Sequence, residues 1–201
     1  MRVRASNWVP FATAALFTAM AVVTSVAAPK PLPPFERVMN IEPRVVADLE
    51  MTDQNGKARR LSDLTGAPAF VFFGFTHCPD ACPTTLQKLA MIKSSEVETL
   101  KGMRVVLISV DGERDTPAVL KGFLARFSGE FVGLTASPEQ VRNLALSFSA
   151  PFFKDPPKDG AYAVQHSTRV YALDRQGRLR AELYDASREA TIGLARALLA
   201  E

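Results

Sequence analysis

The run Ala69-Phe70-Val71-Phe72-Phe73, bounded by Pro68 and Gly74, constrains this chain more than any other segment. An unbroken apolar stretch rich in aromatic and β-branched side chains suits a strand covered on both faces, as found in sheets with helices on either side. Behind it, Pro83 to Ile92 carries Leu86, Leu89 and Ala90 at helical spacing, with proline in the first turn, where its missing N–H costs nothing. A buried strand therefore runs through a short loop into a helix. Both cysteines of the 201-residue chain, Cys78 and Cys82, lie at this junction.

The rest of the pattern extends this frame. Val45 to Met51 and Ala58 to Leu61 flank Asp53-Gln54-Asn55-Gly56, a hairpin signal. A strand follows at Met103 to Val110, then a helix from Pro117 to Phe127 capped by Thr116. A short strand, Phe131 to Leu134, precedes a helix from Pro138 to Phe148, where Ser137 and Gln140 suit a capping box. Strands Thr168 to Leu173 and Arg178 to Tyr184 are joined by a turn with Gly177 in the left-handed position, and a helix spans Arg188 to Leu199. This order predicts an α/β domain with a mixed central β-sheet flanked by helices and an N-terminal β-hairpin, without internal repeats. In such sheets, ligands gather outside the carboxyl ends of parallel strands. Cys78 and the end of Ser109-Val110-Asp111 both fall there.

A bridge closing so short a loop removes little entropy from the unfolded chain, so the cysteine pair reads as a redox or metal site rather than a staple. Residues four apart project from one face of a helical turn, which makes the two sulfurs converge. The positive end of the helix should favour thiolate over thiol. Two histidines exist. His77 precedes Cys78 directly and should point elsewhere. His166 follows a proline- and charge-rich loop, Pro151 to Gly160, and spacing alone leaves it open as a ligand or a structural residue. Two thiolates and an imidazole suit Cu(I), can hold Cu(II) with an added weak ligand, and would hold Zn²⁺ with a fourth. Asp80 and Asp111 could support the site, or cap a turn and end a strand. Asp115-Thr116-Pro117 reads as a helix start, Phe75 as a residue lining the site, and Phe152 and Phe153 as packing residues of the long loop.

The N-terminus indicates the compartment. Arg2 and Arg4 precede an uncharged apolar stretch from Trp8 to Ala28, and Ser25-Val26-Ala27-Ala28 carries the small residues that a signal peptidase prefers. Residues 1–28 are expected to be a membrane anchor or a cleaved signal, residues 29–43 a proline-rich spacer, and residues 44–201 the folded domain. The domain would be exported, either tethered to a bacterial inner membrane or soluble in the periplasm. The net charge of +3 includes Arg2 and Arg4, and removing these two leaves +1. With no basic or aromatic nucleic-acid motif, this near-neutral part is not expected to bind nucleic acid.

Three separated motifs carry a resemblance. Gly74-Phe75-Thr76-His77-Cys78-Pro79-Asp80-Ala81-Cys82-Pro83-Thr84-Thr85-Leu86, then Ser109-Val110-Asp111-Gly112-Glu113-Arg114-Asp115-Thr116-Pro117, then His166-Ser167, resemble the Sco/SenC family of cytochrome oxidase assembly proteins from about Pro43 to the C-terminus. The resemblance implies a thioredoxin-like fold on a membrane-tethered domain, with copper bound by Cys78, Cys82 and His166. It implies a role in maturing the CuA centre of cytochrome c oxidase subunit II, with other copper chaperones as further partners. Two positions depart from the family pattern: Gln165 stands where aspartate usually precedes the histidine, and Gly112 where proline usually follows Asp111. A copper metallochaperone requires all three ligands, whereas a thiol-disulfide reductase that keeps the partner's cysteines reduced requires only the Cys78 and Cys82 redox pair. Peroxidase activity is disfavoured by Thr76 lying two residues before Cys78, and dithiol oxidase activity by a gap longer than Cys-x-x-Cys.

Overall fold

The computed structural model describes residues 31–158 and 162–201, so the expected anchor or signal, residues 1–28, lies outside the described residues. Ten strands are described: β1 (Val38–Val45), β2 (Met51–Asp53), β3 (Ala58–Arg59), β4 (Ala69–Gly74), β5 (Arg104–Ser109), β6 (Val132–Thr135), β7 (Phe153–Lys154), β8 (Val164–Gln165), β9 (Val170–Leu173) and β10 (Arg178–Leu183). The helices are α1 (Ala81–Ser95), α2 (Val97–Leu100), α3 (Pro117–Leu124), α4 (Pro138–Ser147) and α5 (Arg188–Leu199). Eight strands form one sheet in the order β1-β10-β9-β4-β5-β6-β2-β3, while β7 and β8 pair separately as a small hairpin. β4, β5 and β6 run parallel; the other pairings in the large sheet are antiparallel. Among the described residues no helix is long and apolar enough to cross a membrane.

β4 is central and buried along its whole length, as its uninterrupted apolar run requires. Its alternation separates two environments. Phe73 packs edge-on against Phe148 and Tyr171, whereas Phe72 meets the ring of His166. The last residue of β4, Gly74, pairs with the last residue of β5, Ser109, so the loops leaving both strands emerge side by side at the carboxyl edge of the sheet. The helix starts follow the expected chemistry. The Thr116 side chain accepts from Val119 N, and Ser137 and Gln140 exchange the reciprocal bonds of a capping box. Ser187 caps α5 by accepting from Ala190 N.

Two expectations about the N-terminal part are corrected. The strand expected at Val45 to Met51 ends where it was expected to begin: β1 occupies Val38–Val45, most of it within residues 29–43, the segment read as a spacer, and pairs antiparallel with β10. Only residues 31–37 of the described chain precede it. The intervening Asp48 is used otherwise, its carboxylate accepting from Ser62 N and Ser62 Oγ (2.7 Å). The hairpin is consequently short, β2 with β3, turned at Gly56 with φ of 79° and closed by Asp53 Oδ1 accepting from Asn55 N and Lys57 N.

Candidate metal centre

The loop after β4 brings the cysteines together by backbone bonding. Cys78 N donates to Phe75 O (3.3 Å), which tightens the turn, and Cys82 N in the first turn of α1 donates to Cys78 Sγ (3.4 Å). Both cysteines are free thiols, Cys78 half-buried and Cys82 buried. Cys82 has no solvent exposure because its sulfur sits directly over Gly74, where a Cβ would lie 2.8 Å from Sγ. Asp80 stands at the start of α1 but makes no capping bond to the backbone; its Oδ1 accepts from Thr84 Oγ1 (3.1 Å).

His166 arrives from the far side, immediately after β8. Its Nδ1 lies 2.9 Å from Ser167 O, an acceptor only, so Nδ1 carries the proton and donates. Nε2 is then left with its lone pair, 3.5 Å from Cys82 Sγ. The edges of Phe72 and Phe75 hold the imidazole, with centroid separations of 5.9 and 5.5 Å. Sulfur, sulfur and nitrogen all lie within 4.8 Å of one another. Phe75 lines the site as expected.

The electrostatics overturn one expectation. The first turn of α1 was expected to make one or both sulfurs more acidic, and for Cys82 the opposite holds: burial pushes its thiol far above its ordinary range. Loss of hydration at zero exposure outweighs the partial charge of a helix end. Burial also lowers the His166 pKa, so the ring is neutral and its lone pair available. Without metal, Cys82 S–H faces a neutral nitrogen. A soft cation binding here must displace that proton, which makes metal uptake and proton release one event.

His77 stays outside this cluster, exposed, with Nδ1 3.0 Å from Thr76 Oγ1 and 3.8 Å from Asp115 Oδ1. Asp115 does more than start a helix. Fully buried, it accepts from Thr76 N (3.0 Å), Thr76 Oγ1 (2.6 Å) and Ser109 Oγ (2.7 Å), tying the loop after β4 to the end of β5. The adjacency of the two strand ends was the signal for this, since an acid placed between them meets a hydroxyl from each. Asp111 is also buried and bound to Arg114 and Tyr162, a grouping that only the tertiary fold assembles. In the long loop Phe152 is buried as expected, while Phe153 is 65% exposed and does not pack.

With this geometry in place, the SCO1/SenC family pattern matches residues 38–197. The chain belongs to the SCO1/SenC family. Among curated relatives, the SCO2-like protein of Rickettsia felis is 33% identical over 161 residues, spanning 77% of each chain. The copper-bound structure of Bradyrhizobium japonicum ScoI superposes with a TM-score of 0.70 at 36% identity, covering 77% of this chain and 99% of that one. A SCO1/SenC family lipoprotein from Bacillus anthracis matches with a TM-score of 0.69 at 26% identity, covering 84% and 100%. The thioredoxin-like, mixed-sheet architecture is thus that of the family.

The two departures from the SCO1/SenC pattern have structural counterparts. Gln165 turns its amide to the hairpin instead, its Nε2 donating to Asp155 Oδ2 (3.1 Å). The group that orients His166 is the Ser167 carbonyl, and Ser167 is itself held by Tyr171 OH (3.1 Å) and Arg169 N. At Gly112 a Cβ would lie 2.1 Å from Ala136 O, so this backbone path excludes any larger residue, proline included.

Proposed function

We propose that this SCO1/SenC protein is a copper metallochaperone that takes up one copper ion at Cys78, Cys82 and His166 and delivers it to the CuA centre of cytochrome c oxidase subunit II. The reading rests on one observation: the lone pair of a neutral, carbonyl-oriented imidazole converges on two free thiols within 4.8 Å. Two sulfurs and one nitrogen form a soft donor set that satisfies Cu(I) without a fourth ligand, whereas Cu(II) or Zn²⁺ would require an addition. Copper is cargo here. As each copper–sulfur bond forms, a thiol proton leaves to solvent. The half-buried Cys78 sulfur is where an acceptor thiolate first reaches the metal, and the buried Cys82 is the ligand released last.

The same exposure difference favours a second activity, reduction of the acceptor's cysteines. The more accessible Cys78 sulfur, losing its proton, attacks a disulfide of the partner and Cys82 resolves the mixed disulfide; two thiols give up two electrons and two protons, and the partner's disulfide becomes two thiols. Residues 1–28 act as a membrane anchor or cleaved signal that places the domain in the periplasm.

Cytochrome c oxidase activity in cells carrying His166→Ala, Cys78→Ser or Cys82→Ser at equal expression tests the order of these roles. Copper delivery predicts that all three fail at low copper and that added copper rescues the histidine variant best. Full oxidase activity in the His166→Ala cells at low copper would instead make thiol reduction the main task.

A further inference from the structure

His166 sits on a peripheral element. The β7–β8 hairpin is not hydrogen-bonded into the main sheet, yet the residue following it supplies the only nitrogen of the cluster formed with Cys78 and Cys82. Something must fix this hairpin relative to the sulfurs, and the bonds within the hairpin, Phe153 opposite Gln165 and Lys154 opposite Val164, cannot do so.

The contacts of Tyr162, four residues before His166, tie the hairpin to the loop after β5. Tyr162 OH donates to Asp111 Oδ1 (2.7 Å), and Arg114 Nη1 donates to Tyr162 O (3.3 Å), so the side chain and main chain of one residue are both held by one turn. The Arg114 guanidinium lies 3.8 Å from the Tyr162 ring centroid and is ion-paired to Asp111. Lys154 Nζ, from β7, also lies 3.8 Å from that ring and pairs with Glu113 (2.6 Å). Arg114 reaches on to Phe75, 5.8 Å from its centroid, and the Phe75 ring stands edge-on to His166. Asp111 is itself anchored, 4% exposed, with its N–H on Ser109 Oγ at the end of β5. A rigid turn of the sheet edge therefore holds both the base of the histidine's hairpin and one wall of its ring.

We propose that Tyr162 is a positioning residue: through Asp111 and Arg114 it sets where His166 stands relative to the two sulfurs, and so sets copper affinity without touching the metal. The proposal rests on Cys78, Cys82 and His166 being the copper site. Partners that orient a metal-bound histidine commonly alter affinity by roughly ten- to a hundred-fold when removed.

The test is a double-mutant cycle for Cu(I) affinity, measured by chelator competition on the purified protein with Tyr162→Ala, Tyr162→Phe, His166→Ala and the Tyr162→Ala/His166→Ala pair. The expectation is a loss of about ten-fold for Tyr162→Ala, a smaller loss for Tyr162→Phe, which keeps the ring but not the hydroxyl, and no further loss when Tyr162→Ala is added to His166→Ala. Amide hydrogen exchange of the copper-free Tyr162→Ala protein should rise at residues 153–158 and 162–166 while exchange in β4 and β5 stays unchanged. Wild-type affinity in Tyr162→Ala, or losses that add in the double variant, would overturn the latch. If His166→Ala itself binds Cu(I) like wild type, the copper-site reading fails first, by a result distinct from these.

Discussion

Gly74→Ala should disable the metal centre without altering any ligand. A methyl at Gly74 would lie 2.7 Å from Phe72 Cε1, 2.8 Å from Cys82 Sγ and 3.2 Å from Leu107 Cδ1, all in a fully buried setting. Non-bonded carbon contacts settle at about 3.5–4.0 Å, so the sulfur would have to retreat by most of an ångström. Cys82 lies in the first turn of α1, and its sulfur can retreat only by swinging away from His166 Nε2 or by lifting the helix. Overpacking of this kind costs about 1–3 kcal/mol of stability. Displacing one ligand should weaken Cu(I) binding by roughly ten-fold or more, about 1.4 kcal/mol per decade. The control is Gly133→Ala, whose methyl would lie 2.7 Å from Leu124 Cδ1 between β6 and α3, remote from the ligands. Urea unfolding of the copper-free proteins and Cu(I) competition should show destabilisation in both variants but loss of affinity only in Gly74→Ala. Equal affinity losses, or a Gly74→Ala protein with wild-type stability and binding, would show that the Gly74 contact does not hold the Cys82 sulfur in place.

Asp115→Ala removes a buried acceptor from Thr76 N, Thr76 Oγ1 and Ser109 Oγ; with each orphaned donor costing about 1–3 kcal/mol, urea unfolding should show a loss on the order of 3 kcal/mol. Because burial lowers the His166 pKa, the unfolded chain takes up that proton before the folded one does, so copper-free stability should fall as pH drops below about 6.5, by at most about 1.4 kcal/mol per pH unit from this group. Urea midpoints at pH 7 and pH 5 check this, and the decline should be smaller in His166→Gln. Equilibration of the copper-free protein with a dithiothreitol redox couple should remove both thiols together as an intramolecular disulfide, counted by mass shift, and the oxidised form should take up no copper. Thiols that titrate singly, or copper bound by the oxidised protein, would contradict that expectation.

What was legible in the sequence was what is local. The apolar run of β4, the 3.6-residue spacing of α1 and the caps at Thr116 and Ser137 each act within a few residues, so pattern and structure agree. β1 was missed because Glu42, Pro43 and Arg44 interrupt any strand signal; its strand conformation comes from pairing with β10 at a sheet edge, where propensity counts least. The acidity of Cys82 was misjudged because position in a helix is readable, but the cover provided by Gly74 and β4 is a tertiary fact. His166 could be assigned from the family motif but not from spacing, since 84 residues separate it from Cys82. Asp111, Arg114 and Tyr162 are likewise assembled only by the fold, 48 residues apart between Arg114 and Tyr162.

Copper delivery by this protein requires one copper ion held by Cys78, Cys82 and His166. X-ray absorption of the Cu(I)-loaded protein, wild type beside His166→Ala, counts the donor atoms around the metal and so decides this. The wild type should show one copper per chain with two sulfur neighbours and one nitrogen neighbour, and the variant should lose that histidine nitrogen signal. A copper shell with fewer than two sulfurs, or a spectrum unchanged by His166→Ala, would contradict it.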